Sequence, residues 1–517
     1  MSAKTRARAS ACALVFLFST LHAAWDFEAR LEKAAPKNRP FSAAGFIIDF
    51  TEFSEGKKEA EYCESELASL SAALKERLKG ESGAEALKIV SAFMFEEMKF
   101  RFDQDADSEA SRRAVNSFYR SAKNYGSFPE IFSSRRGICA GLSLVYMALA
   151  ESAGVEVFPV FAPGHIYLRF ESPKGPINIE TTMAGRLTDG SFYRKNYPST
   201  GDNCYGITMP RLAAASAAFS NLGFHYDALG RSREALSLHK KSVTLNPRLP
   251  DARVNLSAAY LKLAMYKEAE KEALEALKLF QGSAGAAVNL AAVYLRTGRY
   301  LKAAEIYETM VKKEPNNAQA FDGLGLALKE AGNYAKAAAC FRRAVELDPA
   351  NERAINNLGN IYTLQEKHAD AVEAYKRSIL LNPNRHESRM NLAAAYYSAG
   401  RYGASASEYE RAAVLNPEGY YLYCNMGAAY HRLGRTREAE KAFKQALKIK
   451  PDDGLSLFNL GALYLEMDKP EAAVLIFEKA VKTDPDNKEA LYNLGAAYEI
   501  LGDPDKADYY REKSGLR

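Results

Sequence analysis

Three short segments in the first two hundred residues hold the side chains best suited to chemistry: Arg135-Arg136-Gly137-Ile138-Cys139, Pro163-Gly164-His165 and Ile177-Asn178-Ile179-Glu180-Thr181-Thr182. A thiol, an imidazole and a carboxylate are the parts of a nucleophilic site. The imidazole takes the thiol proton, and the carboxylate fixes the imidazole's tautomer and stabilises its cation. Cys139, His165 and Glu180 follow one another in that order. His165 is the only histidine between Trp25 and Phe224. A lone histidine is more often structural than catalytic, and a lone buried cysteine is more often a small hydrophobe. Order and context shift both readings toward chemistry.

The elements that must position these groups are legible nearby. Cys139 follows a glycine break and precedes Leu142, Leu144, Val145, Ala148 and Leu149, a run apolar enough for a buried helix. The thiol then sits at a helix N-terminus, where the macrodipole favours thiolate. Arg135 and Arg136 either add to that field or are solvated surface charges. Downstream, His165, Tyr167 and Arg169 alternate with Ile166, Leu168 and Phe170, the period of a half-buried strand, and the next strand alternates too. A four-residue loop over Glu171 to Lys174 pairs Leu168 with Ile177, Ile166 with Ile179, Tyr167 with Asn178 and His165 with Glu180. A register slipped by two residues keeps the faces but moves the acid away from its place opposite His165.

At these residues the chain resembles the transglutaminase-like superfamily. Residues 135–154, RRGICAGLSLVYMALAESAG, look like the nucleophile helix; PGHIYLRF and INIETT look like the histidine and acid strands. The resemblance spans roughly residues 80–200 and implies an α+β papain-like domain. It implies Cys139 as nucleophile, His165 as general base and then acid, and Glu180 as orienting carboxylate, glutamate standing where aspartate is also used. The family holds amide hydrolases, peptide cross-linkers and members without catalysis, so the fold does not choose among them. An oxyanion hole needs a donor beyond the Cys139 backbone. Gln104 is the only glutamine before the repeats, and Asn116, Asn124 and Tyr125 are further candidates. No acidic loop of calcium-binding spacing is present, and no cofactor or metal is expected.

Beyond residue 210 the sequence repeats every 34 residues. Prolines at 247, 315, 349, 383, 417, 451 and 485 keep the register, which only Gln281 breaks. Leucine at 222, 256, 290, 324, 358, 392, 460 and 494, with Met426 in one unit, is followed four residues later by tyrosine at 226, 260, 294, 362, 396, 430, 464 and 498, with Leu328 in one unit. That spacing places each pair on one helix face. Gly230, Gly298, Gly332, Gly400, Gly434 and Gly502 end the first helix, and a second helix with small alanines follows, Ala235 to Ala507 at the same period. Over residues 216–517, nearly nine units, the chain resembles the tetratricopeptide repeat family. The resemblance implies an all-α right-handed solenoid whose concave surface binds a protein or extended peptide.

Position six of eight units is asparagine: Asn221, Asn255, Asn289, Asn357, Asn391, Asn425, Asn459 and Asn493, with Gly323 in the fourth unit. Position six lies on the helix face opposite the packing stripe, which predicts exposed amides. A ladder of carboxamides could pair with the backbone of an extended peptide, so these eight are the candidate peptide-binding residues. Equally, they bond neighbouring repeats. The other groove positions, Phe224, Val254, Met390, Tyr421, Phe458 and Tyr492, show no stripe of one charge and no basic clamp for a terminal carboxylate.

Lys4, Arg6 and Arg8 precede an apolar run from Ala11 to Phe18 and a small-residue exit at Ala23-Ala24, which reads as a secretory signal peptide over residues 1–24. Leu21 or His22 stands where a smaller residue is usual, which leaves an uncleaved anchor open. No later segment is long or apolar enough to span a bilayer. Without the signal the formal charge falls from +5 to +2, which argues against nucleic acid. Cys63, Cys139, Cys204, Cys340 and Cys424 are too few for a disulfide scaffold, although Cys63 and Cys204 could bridge the ends of the first domain. The expected plan is a signal at 1–24, a thiol domain at 25–210 and about nine repeats at 211–517. The expected product is periplasmic or extracellular: a thiol domain for amide acyl transfer or hydrolysis joined to a partner-binding array, or else an envelope adaptor without catalysis.

Overall fold

The computed structural model describes residues 41–102, 127–163, 165–188, 192–193 and 205–516, together with Ala34. The signal segment, Cys204, Gln104, Asn116, Asn124 and Tyr125 lie outside the described residues. Packing divides the chain into two compact units that part between Arg299 and Tyr300.

In the first unit, three helices lead into the site region: α1 (Ala43–Ser54), α2 (Lys57–Leu78) and α3 (Gly83–Ser91), the last continuing as a π-turn over Ala92–Glu97. Cys63, Leu67, Leu70, Leu74 and Leu78, at helical spacing, form the buried face of α2, and Leu87, Val90 and Met94 are also buried. Then come β1 (Arg101–Phe102), α4 (Phe128–Ser134), β2 (Arg136–Gly137) and α5 (Cys139–Ser152). Among the described residues β1 and β2 form a short parallel pair, and β3 (Phe158–Ala162), β4 (His165–Ser172), β5 (Gly175–Glu180) and β6 (Arg186–Thr188) form an antiparallel sheet in chain order. Ala140 to Ala150 of α5 are all buried. This helix and the Ile166, Leu168 and Ile179 face of the sheet belong to one core.

The hairpin register differs from the one the loop length implies. Leu168 pairs with Ile179, Arg169 with Asn178 and Phe170 with Ile177, a shift of two residues. The strand β4 runs on through Glu171 and Ser172, and Gly175, at φ +110°, closes the hairpin with only Pro173 and Lys174 between the paired Ser172 and Gly175. Because the shift is even, every side chain keeps its face.

The same core continues into the repeats. Phe219, on α6 (Ala214–Ala228), is fully buried and meets the rings of Phe46 and Phe50 edge-on at 5.9 and 5.1 Å. Glu151, at the end of α5, accepts from the Ala43 backbone amide at 2.9 Å and pairs with Arg211 at 3.2 Å, so the start of α1 and the approach to α6 are fastened to one carboxylate. A second helix, α7 (Ser232–Leu245), packs back on α6, and Pro250–Lys262, Tyr266–Leu279 and Ala284–Arg296 follow in the first unit.

The second unit opens with Tyr300–Lys313 and continues as helix pairs whose first members start at Ala318, Glu352, His386, Tyr420, Gly454 and Lys488, 34 residues apart. The eight period alanines from Ala235 to Ala507 are buried, at no more than 2% exposure, where the paired helices approach closely. The small residue at position eight makes room for the ring sixteen residues on. A β-carbon at Gly359 would stand 2.6 Å from Tyr375, and one at Gly461 would stand 2.7 Å from Phe477. The six period glycines take φ between +72° and +78°, as a helix stop requires.

Candidate active site

Cys139 is the first residue of α5, and its placement starts with the segments before it. Arg101 donates its backbone amide to the Arg135 carbonyl at 2.8 Å, and β2 pairs with β1 through Arg136 and Gly137. Ile131 of α4 presses on the start of α5: a β-carbon at Gly141 would meet its side chain at 2.4 Å, and one at Gly137 at 3.2 Å. The two glycines around Cys139 are therefore there for close packing. The first turn of α5 carries no acidic residue and no side-chain cap, so the positive end of the helix is not offset near the sulfur. Arg135 is not a free field source. It takes φ +58°, pairs with Glu66 at 3.0 Å and lies over the Phe100 ring at 4.9 Å, a structural role. Arg136 is exposed.

His165 opens β4 and is held between two partners. Its Nε2 meets Glu180 Oε2 at 2.9 Å, and the imidazole also hydrogen-bonds the Cys139 sulfur, so Nδ1 is left as the nitrogen facing the thiol. The shifted register puts Glu180 across from Tyr167, yet it lies diagonally from His165 on the same sheet face, within reach of its longer side chain. The carboxylate is closed off on every side. Its Oε1 accepts from the Thr182 amide at 3.0 Å and hydroxyl at 2.5 Å, and its Oε2 accepts from Tyr193 at 3.2 Å as well as from His165. The His165 side chain is 9% exposed and that of Glu180 is 1%.

Burial alone would lower the His165 pKa, but its hydrogen bonds and charge contacts with Cys139 and Glu180 outweigh that and raise it to about 10. Burial pushes Glu180 upward, and the His165 and Thr182 hydrogen bonds overcome it to hold the carboxyl below its usual range. The arrangement is that of an imidazolium beside a sulfur, braced by an anion, which suits a thiolate nucleophile.

Two further contacts gave no signal in the sequence pattern. The Ser143 and Thr181 hydroxyls, both fully buried, bond at 3.1 Å and bolt α5, one turn past Cys139, to the residue after Glu180. Tyr193 stacks on Tyr167 with ring centroids 3.6 Å apart. Neither contact follows a local period, because each joins residues more than ten positions apart. Cys63 is a free, buried thiol pushed by burial to about 11, which keeps it protonated at neutral pH.

The asparagine ladder is placed differently from the expectation of exposed amides. All eight are half-buried. Asn255 donates to Ser220 Oγ at 2.8 Å, Asn289 to the Val254 carbonyl at 2.9 Å, Asn391 to Asn356 and Asn360 at 3.3 and 3.2 Å, and Asn459 to the Cys424 sulfur at 3.8 Å. Asn425 bonds Tyr409, and Asn493 turns back to the Glu489 carbonyl at 3.0 Å. In five of the eight the amide joins its helix to the preceding repeat, the geometry of a structural tie. Among the described residues no helix is long and apolar enough to cross a membrane.

An α+β domain that brings Cys139, His165 and Glu180 together, ahead of helical-hairpin repeats, defines the class of the protein. The chain carries a transglutaminase-like domain followed by tetratricopeptide repeats: the transglutaminase-like superfamily matches residues 61–195, and tetratricopeptide repeat families match 255–318, 323–385, 357–421, 422–486 and 476–509. No curated protein matches the chain. Among solved structures it is similar to YrrB, described as a TPR protein with an unusual peptide-binding site, at 20% identity over 36% of this chain and 97% of that one, with a TM-score of 0.33. It is similar to MamA at 26% identity over 31% and 95%, with a TM-score of 0.30, and to pilF of Pseudomonas aeruginosa at 19% identity over 37% and 88%, with a TM-score of 0.34.

Proposed function

We propose that the protein is an exported thiol enzyme that transfers or hydrolyses an amide acyl group, with Cys139 as nucleophile, His165 as general base and then acid, and Glu180 as orienting carboxylate. The observation that carries this reading is the buried His165 ring held between the Cys139 sulfur and the Glu180 carboxylate. In the reaction the thiolate attacks the amide carbonyl to give a tetrahedral oxyanion, for which the Cys139 backbone N–H is one donor. His165 passes its proton to the leaving amine. Water or a second amine then releases the acyl group from the sulfur with His165 as base. The repeats bring a protein or extended peptide, through half-buried apolar groove residues such as Met390, Tyr421, Phe458 and Tyr492. Export rests on the basic and apolar pattern of residues 1–24. The test is amide turnover: incubate the full chain with peptidoglycan and with glutamine-containing peptides and look for new amines or released ammonia. Release by wild type and none by Cys139→Ser supports the reading; equal release contradicts it.

A second reading, an adaptor in which the first domain caps the repeats without catalysis, draws on the core shared by Phe46, Phe50 and Phe219. Partner capture that survives Cys139→Ser, with no amide turnover by wild type, would select it.

A further inference from the structure

Glu180 receives two donors on one oxygen, and one of them comes from outside the hairpin. The Tyr193 hydroxyl donates to Oε2 at 3.2 Å, the same atom that meets His165 Nε2 at 2.9 Å. The ring that carries this hydroxyl has little freedom. It lies nearly parallel to Tyr167, at 14° and 3.6 Å, meets Phe192 edge-on at 5.1 Å, and is 6% exposed. Tyr167, Val160 and Ala162 form the buried patch beneath it. Beside Glu180, β4 contributes His165, Tyr167 and, one step further along, Arg169, whose guanidinium is 3.4 Å from the Tyr167 hydroxyl. The turn after β5 contributes Thr182, and Arg186 of β6 pairs with Glu180 through its backbone while its side chain is exposed. Tyr193 is thus a neutral donor aimed at the carboxylate, next to the cationic His165.

We infer that Tyr193 is a positioning residue, whose hydroxyl keeps the Glu180 carboxylate ionised and turned toward the His165 imidazole. A carboxylate that accepts several hydrogen bonds holds its charge to lower pH, and one whose oxygens are all engaged cannot rotate away from its partner. Burial and the neighbouring anion push the Tyr193 phenol well above its ordinary range, so it stays a donor at all working pH. The inference rests on the thiol-site reading above, because it acts through Glu180 and His165.

The test is the rate of Cys139 labelling by iodoacetamide in the full chain, followed by mass spectrometry across about pH 4 to 9, a span that brackets the carboxyl and thiol ranges. Tyr193→Phe keeps the ring stack and removes only the hydroxyl. The acidic limb of the profile is expected to move to higher pH by at least about half a unit, while circular dichroism shows an intact fold. Placing 3-fluorotyrosine at 193, a stronger donor of nearly the same shape, should move the limb to lower pH. If Tyr193→Phe fails to fold, the fluorinated protein decides alone. Profiles coinciding with wild type overturn the role of Tyr193. If wild type itself labels no faster than His165→Ala, the thiol-site reading has failed instead, and the two failures are told apart by that comparison.

Discussion

A buried carboxylate beside a buried imidazole ties the chemistry of the site to the stability of the fold. Glu180 is held below its usual range, so its stabilising contribution is present above about pH 4.5 and is lost as pH falls through its folded value. His165 is raised to about 10, so its contribution is complete below about 6.5 and is lost as pH rises through about 10. Both contributions are present near pH 5 to 6. Thermal unfolding should therefore show a loss of stability on going from pH 6 to pH 10, and Glu180→Gln should flatten that slope; an unchanged slope would show that the pair is not coupled. The thiol, imidazole and carboxylate were legible as residues because each stands in a short segment of its own pattern. Tyr193 and Ser143 were not, since nothing in their neighbourhoods announces a partner 13 or 38 residues away.

Helix caps and helix contacts decide the behaviour of single elements in the repeats. Three units lack the glycine that stops the first helix, and Ala264, Glu366 and Asp468 take φ of +57°, +58° and +55° in its place. A side chain in the left-handed region costs about 1–2 kcal/mol. Glu366→Gly, on the exposed cap, is expected to raise the melting temperature, and a lowered one would refute this account of the cap. His239 occupies the ring position filled by Phe341, Phe443 and Phe477 in later units, against Gly223. Its Nδ1 is buried without a hydrogen-bond partner, and burial lowers its pKa to about 4. Because the folded value lies below the unfolded one, stability falls as pH drops from about 6.5 toward about 4. His239→Phe should remove an acid sensitivity on the order of 1–3 kcal/mol, measured as the difference in urea midpoint between pH 7 and pH 4.5. Strand and helix positions were readable from period alone. The hairpin register was not, because it depends on where Gly175 turns the chain, and a two-residue shift leaves the alternation unchanged. The diagonal reach of Glu180 made the site tolerant of that difference.

At the scale of the molecule, the transglutaminase-like domain and the first repeat share one hydrophobic core. The sequence divides them at about residue 210, where the 34-residue period begins, since hydrophobic pattern shows which faces are buried but not what buries them. The structure adds that Phe219 packs edge-on against both Phe46 and Phe50, which also touch each other at 5.4 Å. Phe219→Ala is expected to cost about 3–5 kcal/mol and to lower the unfolding temperature of the thiol domain together with that of the first repeat, as read by Cys63 accessibility during a thermal ramp. Independent melting of the thiol domain, unaffected by the substitution, would contradict a shared core. The repeat periodicity was the most legible part of the chain; the asparagines it displayed proved half-buried because adjacent first helices approach closely enough for their amides to bond. The proposed chemistry turns on one sulfur and one ring. The most direct measurement is the alkylation rate of Cys139 at pH 6 in wild type and His165→Ala, where an unassisted thiol is less than about 1% thiolate. The account predicts fast labelling of wild type and a loss of roughly a hundredfold or more on removing the imidazole; equal, slow rates in both proteins would contradict it.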